Sequence, residues 1–122
     1  MYNKKVISRF KKPKFAGEIK NADAVGEVGN LKCGDIMRVY IKVKEGKISQ
    51  IKFKTYGCVA AIASSDILCE LAKGKTLEEA QKITGRDVLK EVGEVPALKV
   101  HCSILAQNAL KKAIEEYKKK SQ

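Results

Sequence analysis

Long apolar runs are missing from this sequence. The longest, Val59 to Ala63, falls far short of the roughly 20 residues that cross a bilayer. No segment has the form of a secretory h-region. The first twenty residues hold seven Lys or Arg against one acidic residue, Glu18, but they run straight into the domain and do not read as a cleaved leader. The chain is therefore expected to be cytoplasmic, with no membrane partner. Acidic residues are also scarce, 14 against 25 Lys and Arg, which leaves a net charge of +11. That balance predicts salt-sensitive association with something acidic. No aromatic-rich strand is present, so nucleic acid is not the expected partner. Internal repeats, low-complexity segments and CxxC pairs are absent as well, and the last of these removes the zinc-finger spacings.

What remains is a chain of 122 residues, 44% hydrophobic, enough for one packed domain over residues 1–122 and too short for two. Tyr2, Val6 and Phe10 share a helical face with Ile7 beside them, and Pro13 closes that helix. Met37, Val39, Ile41 and Val43 alternate with Arg38, Tyr40, Lys42 and Lys44, the pattern of a half-buried strand. Glu45-Gly46 reads as a turn into a second strand with Ile51, Phe53 and Thr55 on one face. Ile48 breaks that phase and predicts a bulge near Ser49. Part of Val25 to Leu31 is expected to add a third strand.

After Cys58 the period becomes helical. Ala60, Ala63, Ile67, Leu68 and Leu71 share a face that ends at Lys73-Gly74. Thr76-Leu77-Glu78-Glu79 has the form of a capping box and starts a short helix to about Ile83. Thr84-Gly85-Arg86-Asp87 starts another, to about Val92. Ala106, Ala109, Leu110, Ala113, Ile114 and Tyr117 define the last helix. The expected fold class is α+β, a small antiparallel three-stranded sheet with helices packed on one face.

Four cysteines without a secretion signal point to metal ligands or reactive thiols before disulfides. Three of them fall at element boundaries: Cys33 before the first strong strand, Cys58 between the second strand and the first long helix, Cys102 at the start of the last helix. Helix N-termini lower thiol pKa values, and thiolate is the form that binds metal and attacks sulfur. Asp35 stands two residues after Cys33, so an extended backbone aims both to one side. His101, the single histidine, abuts Cys102. Cys69 lies inside a helix, roughly 16 Å beyond Cys58 by helical rise, and is expected to be a packed thiol.

Three segments carry a resemblance. Gly26-Glu-Val-Gly-Asn-Leu-Lys-Cys33-Gly-Asp35-Ile-Met37 resembles the first cysteine motif of the IscU/NifU-type iron–sulfur cluster assembly scaffolds. Phe53-Lys-Thr-Tyr-Gly57-Cys58-Val-Ala-Ala-Ile-Ala-Ser64-Ser65 resembles their second motif, and Val95-Pro-Ala-Leu-Lys99-Val-His101-Cys102-Ser-Ile-Leu105-Ala their third. Lys5-Val-Ile-Ser-Arg-Phe-Lys-Lys-Pro13 extends the similarity over nearly the whole chain. The resemblance implies a non-enzymatic scaffold that builds a cluster, usually [2Fe–2S], on Cys33, Cys58 and Cys102 and hands it to acceptor apoproteins. It implies a cysteine desulfurase as sulfur donor, with Cys102 accepting the persulfide, and zinc in the cluster-free form.

Asp35 is the expected fourth cluster ligand, with His101 the alternative and the expected zinc ligand. Replacing one thiolate by either leaves a weaker fourth bond, which suits cargo that must be released. Lys99 is a candidate for lowering thiolate pKa values or guiding the persulfide. The resemblance also implies an Hsp70-type chaperone that reads a Leu-Pro-Pro-Val-Lys segment. Here the matching stretch, Val95-Pro96-Ala97-Leu98-Lys99, keeps Pro96 and Lys99 and lacks the second proline. A homo-oligomer is expected for the cluster-bound form. Val59-Ala60 stand where the family usually has a smaller pair after the second cysteine.

Overall fold

A computed structural model describes residues 4–30, 35–56, 59–92 and 100–120. The element order is α1 (Lys4–Lys11), β1 (Ala24–Asn30), β2 (Asp35–Lys44), β3 (Lys47–Tyr56), α2 (Val59–Ala72), α3 (Leu77–Gln81), α4 (Gly85–Val92) and α5 (Val100–Lys120). The strands form one antiparallel sheet in the order β1-β2-β3.

The strand alternation sets which face is covered. Met37, Val39 and Ile41 of β2 and Ile51 and Phe53 of β3 are buried, on the face against which α2 and α5 pack. The β2–β3 hairpin closes through Glu45 at φ 54° and Gly46 at φ 76°, two positive values that match the right-handed twist of the strands. Lys42 pairs with Gln50 but Val43 pairs with Ile48, so Ser49 is the extra residue of a bulge. Its hydroxyl donates to the Lys42 carbonyl at 3.0 Å. The bulge resets the phase so that Ile48 and Ile51 are both buried.

Two features differ from the sequence pattern. Tyr40 lies on the outer face with Arg38 and Lys42, yet it is buried. Arg38 is its neighbour on that face, with its guanidinium 3.4 Å from the Tyr40 hydroxyl and bonded to Glu27. On α1, Ile7 and Phe10 are exposed, while Tyr2 and the Val6 side chain lie outside what the structure describes. Arg9 attaches the helix, bonding Asp66 at 2.8 Å and Glu70 at 2.6 Å on α2. Asp66 is fully buried and also accepts the Phe15 backbone N–H at 2.8 Å. The segment after α1 then runs parallel to β3, where Phe53 donates to the Phe15 carbonyl and accepts from the Gly17 N–H, both at 2.9 Å.

The helix starts follow their capping residues. Thr76 and Glu79 form the reciprocal capping box of α3. Thr84 and Asp87 exchange the same pair of bonds at the start of α4, at 2.9 and 3.3 Å.

Candidate metal centre

Register places the ends of the strands. Asn30, the last residue of β1, pairs with Asp35, the first of β2, and Ile36 beside it pairs with Tyr56, the last of β3. The chain therefore leaves β1, enters β2 and leaves β3 at one end of the sheet. In sequence Cys33 lies between Asn30 and Asp35, and Cys58 between Tyr56 and Val59.

The two long helices run back along the sheet. Thr55, near the end of β3, hydrogen-bonds Ser65 at 2.8 Å. Ile48, near its start, bonds Gly74 and Lys75 just beyond α2, each at 2.9 Å. So α2 is antiparallel to β3 and begins where β3 ends. On α5, Lys120 reaches the Asp23 carbonyl at 3.4 Å, just before β1. Gly26 of β1 faces Ala109 and Ala113, so closely that a Cβ there would collide with the Ala109 carbonyl and the Ala113 backbone nitrogen. Thus α5 is antiparallel to β1. Gly26 to Asn30 is about 13 Å of strand. Ala109 and Ala113 back to Cys102 is roughly 10–16 Å of helix. These lengths match, so the first turn of α5 reaches the end of the sheet where Asp35 begins β2.

Two helix N-termini therefore meet the sheet at one end, and neither α2 nor α5 carries an acidic residue in its first turn. The N–H groups and dipole at a helix N-terminus favour thiolate and carboxylate over their neutral forms. This is what the arrangement offers chemically: an anion-stabilising end of the fold, approached by three separate stretches of chain.

Of the sequence-derived site residues, Asp35 opens β2, and His101 and Cys102 lie in the first turn of α5. Cys33, Cys58, Pro96 and Lys99 lie outside the described residues. Among the described residues no three His, Cys, Asp or Glu groups come together as a metal cluster. Cys69 is fully buried, and burial pushes its thiol well above the ordinary range, so it is a packed, unreactive thiol. The positional role of Gly26 was not drawn from the sequence, although Gly26 stands in the first motif. The available signal was a glycine inside a strand, which marks a close backbone approach.

Comparison with known proteins adds independent findings. The family model described as the NifU-like N terminal domain matches residues 1–122. The chain is 52% identical over 121 residues to "Iron-sulfur cluster assembly scaffold protein IscU 1" of Archaeoglobus fulgidus, covering 99% of this chain and 79% of that one. It is 48% identical over 123 residues to the IscU scaffold protein of Escherichia coli, covering 98% and 95%. Among solved structures, the N-terminal part of a NifU-like protein from Brucella abortus superposes with a TM-score of 0.74 at 21% identity, covering 97% of this chain and 94% of that one. That likeness is one of fold.

Proposed function

Because this chain belongs to the family of NifU-like N-terminal domains, we propose that it is a scaffold on which an iron–sulfur cluster is assembled and from which the cluster passes to acceptor apoproteins. Iron and sulfide are cargo here, and the chain supplies ligands and release without turnover chemistry of its own. The observation that carries this reading is the meeting of the α2 and α5 N-termini with the end of the sheet where Asp35 opens β2.

In this reading Cys33, Cys58 and Cys102 hold a [2Fe–2S] cluster as thiolates and Asp35 supplies a weaker fourth bond. His101 is the alternative there and the ligand for zinc in the cluster-free form. Sulfur arrives from a cysteine desulfurase. The Cys102 thiolate attacks the outer sulfur of the donor's persulfide, the donor's S–S bond breaks, and the donor cysteine leaves as thiolate. Reduction of the transferred sulfur to sulfide needs two electrons from an external donor. Lys99 helps to guide the incoming persulfide. The segment Val95 to Lys99, with Pro96, is where an Hsp70-type chaperone would bind, and cluster loading is accompanied by homo-oligomerisation. No helix among the described residues is long and apolar enough to cross a membrane. The cytoplasm is the compartment that suits these exchangeable thiolates.

The test is anaerobic incubation with ferrous iron, cysteine and a desulfurase. A visible iron–sulfur chromophore is expected in the wild type and in Cys69→Ser, and is lost in Cys33→Ser, Cys58→Ser and Cys102→Ser. Persulfide on one cysteine with no chromophore in any sample would overturn the scaffold reading. Asp35→Ala is expected to change cluster lifetime more than His101→Ala, and the reverse order would exchange their roles.

A further inference from the structure

Three adjoining hollows cross the flank formed by α1, the segment after it, α2 and β3. The first, about 350 Å³, is lined by Lys4, Ile7, Ser8, Lys11 and Lys12. The second, about 420 Å³, shares Lys4, Ser8 and Lys12 with it and continues over Lys14, Ile67 and Glu91. The third, about 150 Å³, shares Lys14 with the second and continues over Phe15, Gln50, Ile51, Lys52 and Lys73. The shared residues make the three one band.

Cations dominate it. Among the described residues, Arg9 is taken up by Asp66 and Glu70, and Lys14 stands 3.8 Å from Glu70. Lys73 sits over the Phe15 ring, 5.8 Å from its centroid. Lys4, Lys11, Lys12 and Lys52 line the band without a carboxylate partner among the described residues. Like charges gathered this way repel one another, and a counter-charged ligand relieves the repulsion. Ile7 in the first hollow and the half-buried Phe15 in the third give the band apolar surface, which a bare anion would not use, while Ile67 and Ile51 are buried beneath it.

We propose that this band is a docking surface for an extended acidic segment of a protein partner, whose carboxylates pair with the lysines while interspersed apolar side chains enter the hollows. A nucleic acid is the disfavoured occupant for two reasons. Glu70 and Glu91 interrupt the band, and a continuous phosphate backbone would meet them. The Phe15 face is already covered by Lys73, so that ring offers no platform for a base. The surface is independent of cluster chemistry and stands whether or not the chain assembles clusters.

The probe is a fluorescein-labelled dodecapeptide repeating Asp-Glu-Leu, with a single-stranded DNA dodecamer as competitor class, followed by anisotropy. The quadruple variant Lys12→Gln, Lys14→Gln, Lys52→Gln and Lys73→Gln is expected to bind the peptide about 10- to 30-fold more weakly, which is about 0.35–0.5 kcal/mol per exposed pair. A control removing the same charge elsewhere, Lys44→Gln, Lys111→Gln, Lys112→Gln and Lys119→Gln, is expected to lose less than about threefold. In the wild-type protein the peptide should move amide resonances in 4–16, 50–53 and 66–73. The proposal is overturned if both variants weaken binding equally, if the DNA binds more tightly than the peptide, or if the shifted resonances lie elsewhere.

Discussion

The first and last helices are attached to the same body by opposite means. Helix α5 lies on β1 through the absence of side chain: Gly26 lets the backbone near Ala109 and Ala113 come against the strand, and Ala106, Leu110 and Ile114 complete a fully buried face. Helix α1 is attached through charge: Arg9 reaches across to a buried Asp66 and a half-exposed Glu70, while Ile7 and Phe10 face outward. Close apolar contact is insensitive to salt and pH and intolerant of added volume. A charged attachment tolerates volume and fails when either charge is removed. The helix that bears Cys102 is thus held by the contact that conditions alter least.

Adding a side chain to the apolar attachment should have the largest effect. Gly26→Val is expected to destabilise the protein by at least about 3 kcal/mol, since backbone atoms must move to admit it, read as a fall in the urea midpoint. Removing the buried charge comes next. Asp66→Ala leaves Arg9 and the Phe15 N–H without their acceptor and should cost about 2–3 kcal/mol. Trypsin should then cut within 4–14 before the rest of the chain unfolds, whereas simultaneous loss of the whole fold would show that α1 is not separately attached. Glu70→Gln removes only the exposed half of the pairing, and about 0.5 kcal/mol is expected. At 1 M salt, where screening acts over about 3 Å, amide exchange should rise in α1 and stay unchanged in α5.

The smallest effect tests a third attachment, the start of α3. The Thr76 N–H and hydroxyl bond the Glu79 carboxylate and hold it below the usual carboxylate range. A folded pKa lowered in this way contributes stability above the unfolded carboxylate value, and the contribution is lost as pH falls through the folded one. Glu79→Gln should therefore melt below the wild type at neutral pH, and the gap should close in acid.

Local rules in the sequence were enough for the sheet and most helix starts. Strand alternation gave the core face of β2, the misplaced Ile48 gave the Ser49 bulge, and Thr76-x-x-Glu79 gave a capping box. Family resemblance and local pattern agreed on the α+β class. The attachments of α1 and α5 were not legible, because they depend on partners distant in sequence. Arg9 and Asp66 are 57 positions apart, and periodicity says which residues share a face without saying what the face meets. The candidate site was legible as residue types and boundaries. The meeting of Asp35 with the starts of α2 and α5 at one end of the fold required the strand register and the antiparallel return of those helices, which spacing does not encode.

Gly26 also sets a lever arm. The contact with Ala109 and Ala113 is the fulcrum of α5, and Cys102 lies some 10–16 Å away along the helix. A tilt of about five degrees there displaces the tip by roughly 1 Å, whereas metal–ligand bonds hold to within about 0.2 Å. In the scaffold reading proposed above, one missing methyl group in the sheet therefore acts as the zero setting for the sulfur of Cys102. A variant such as Gly26→Ala that still folds would be expected to fail first in holding its cargo.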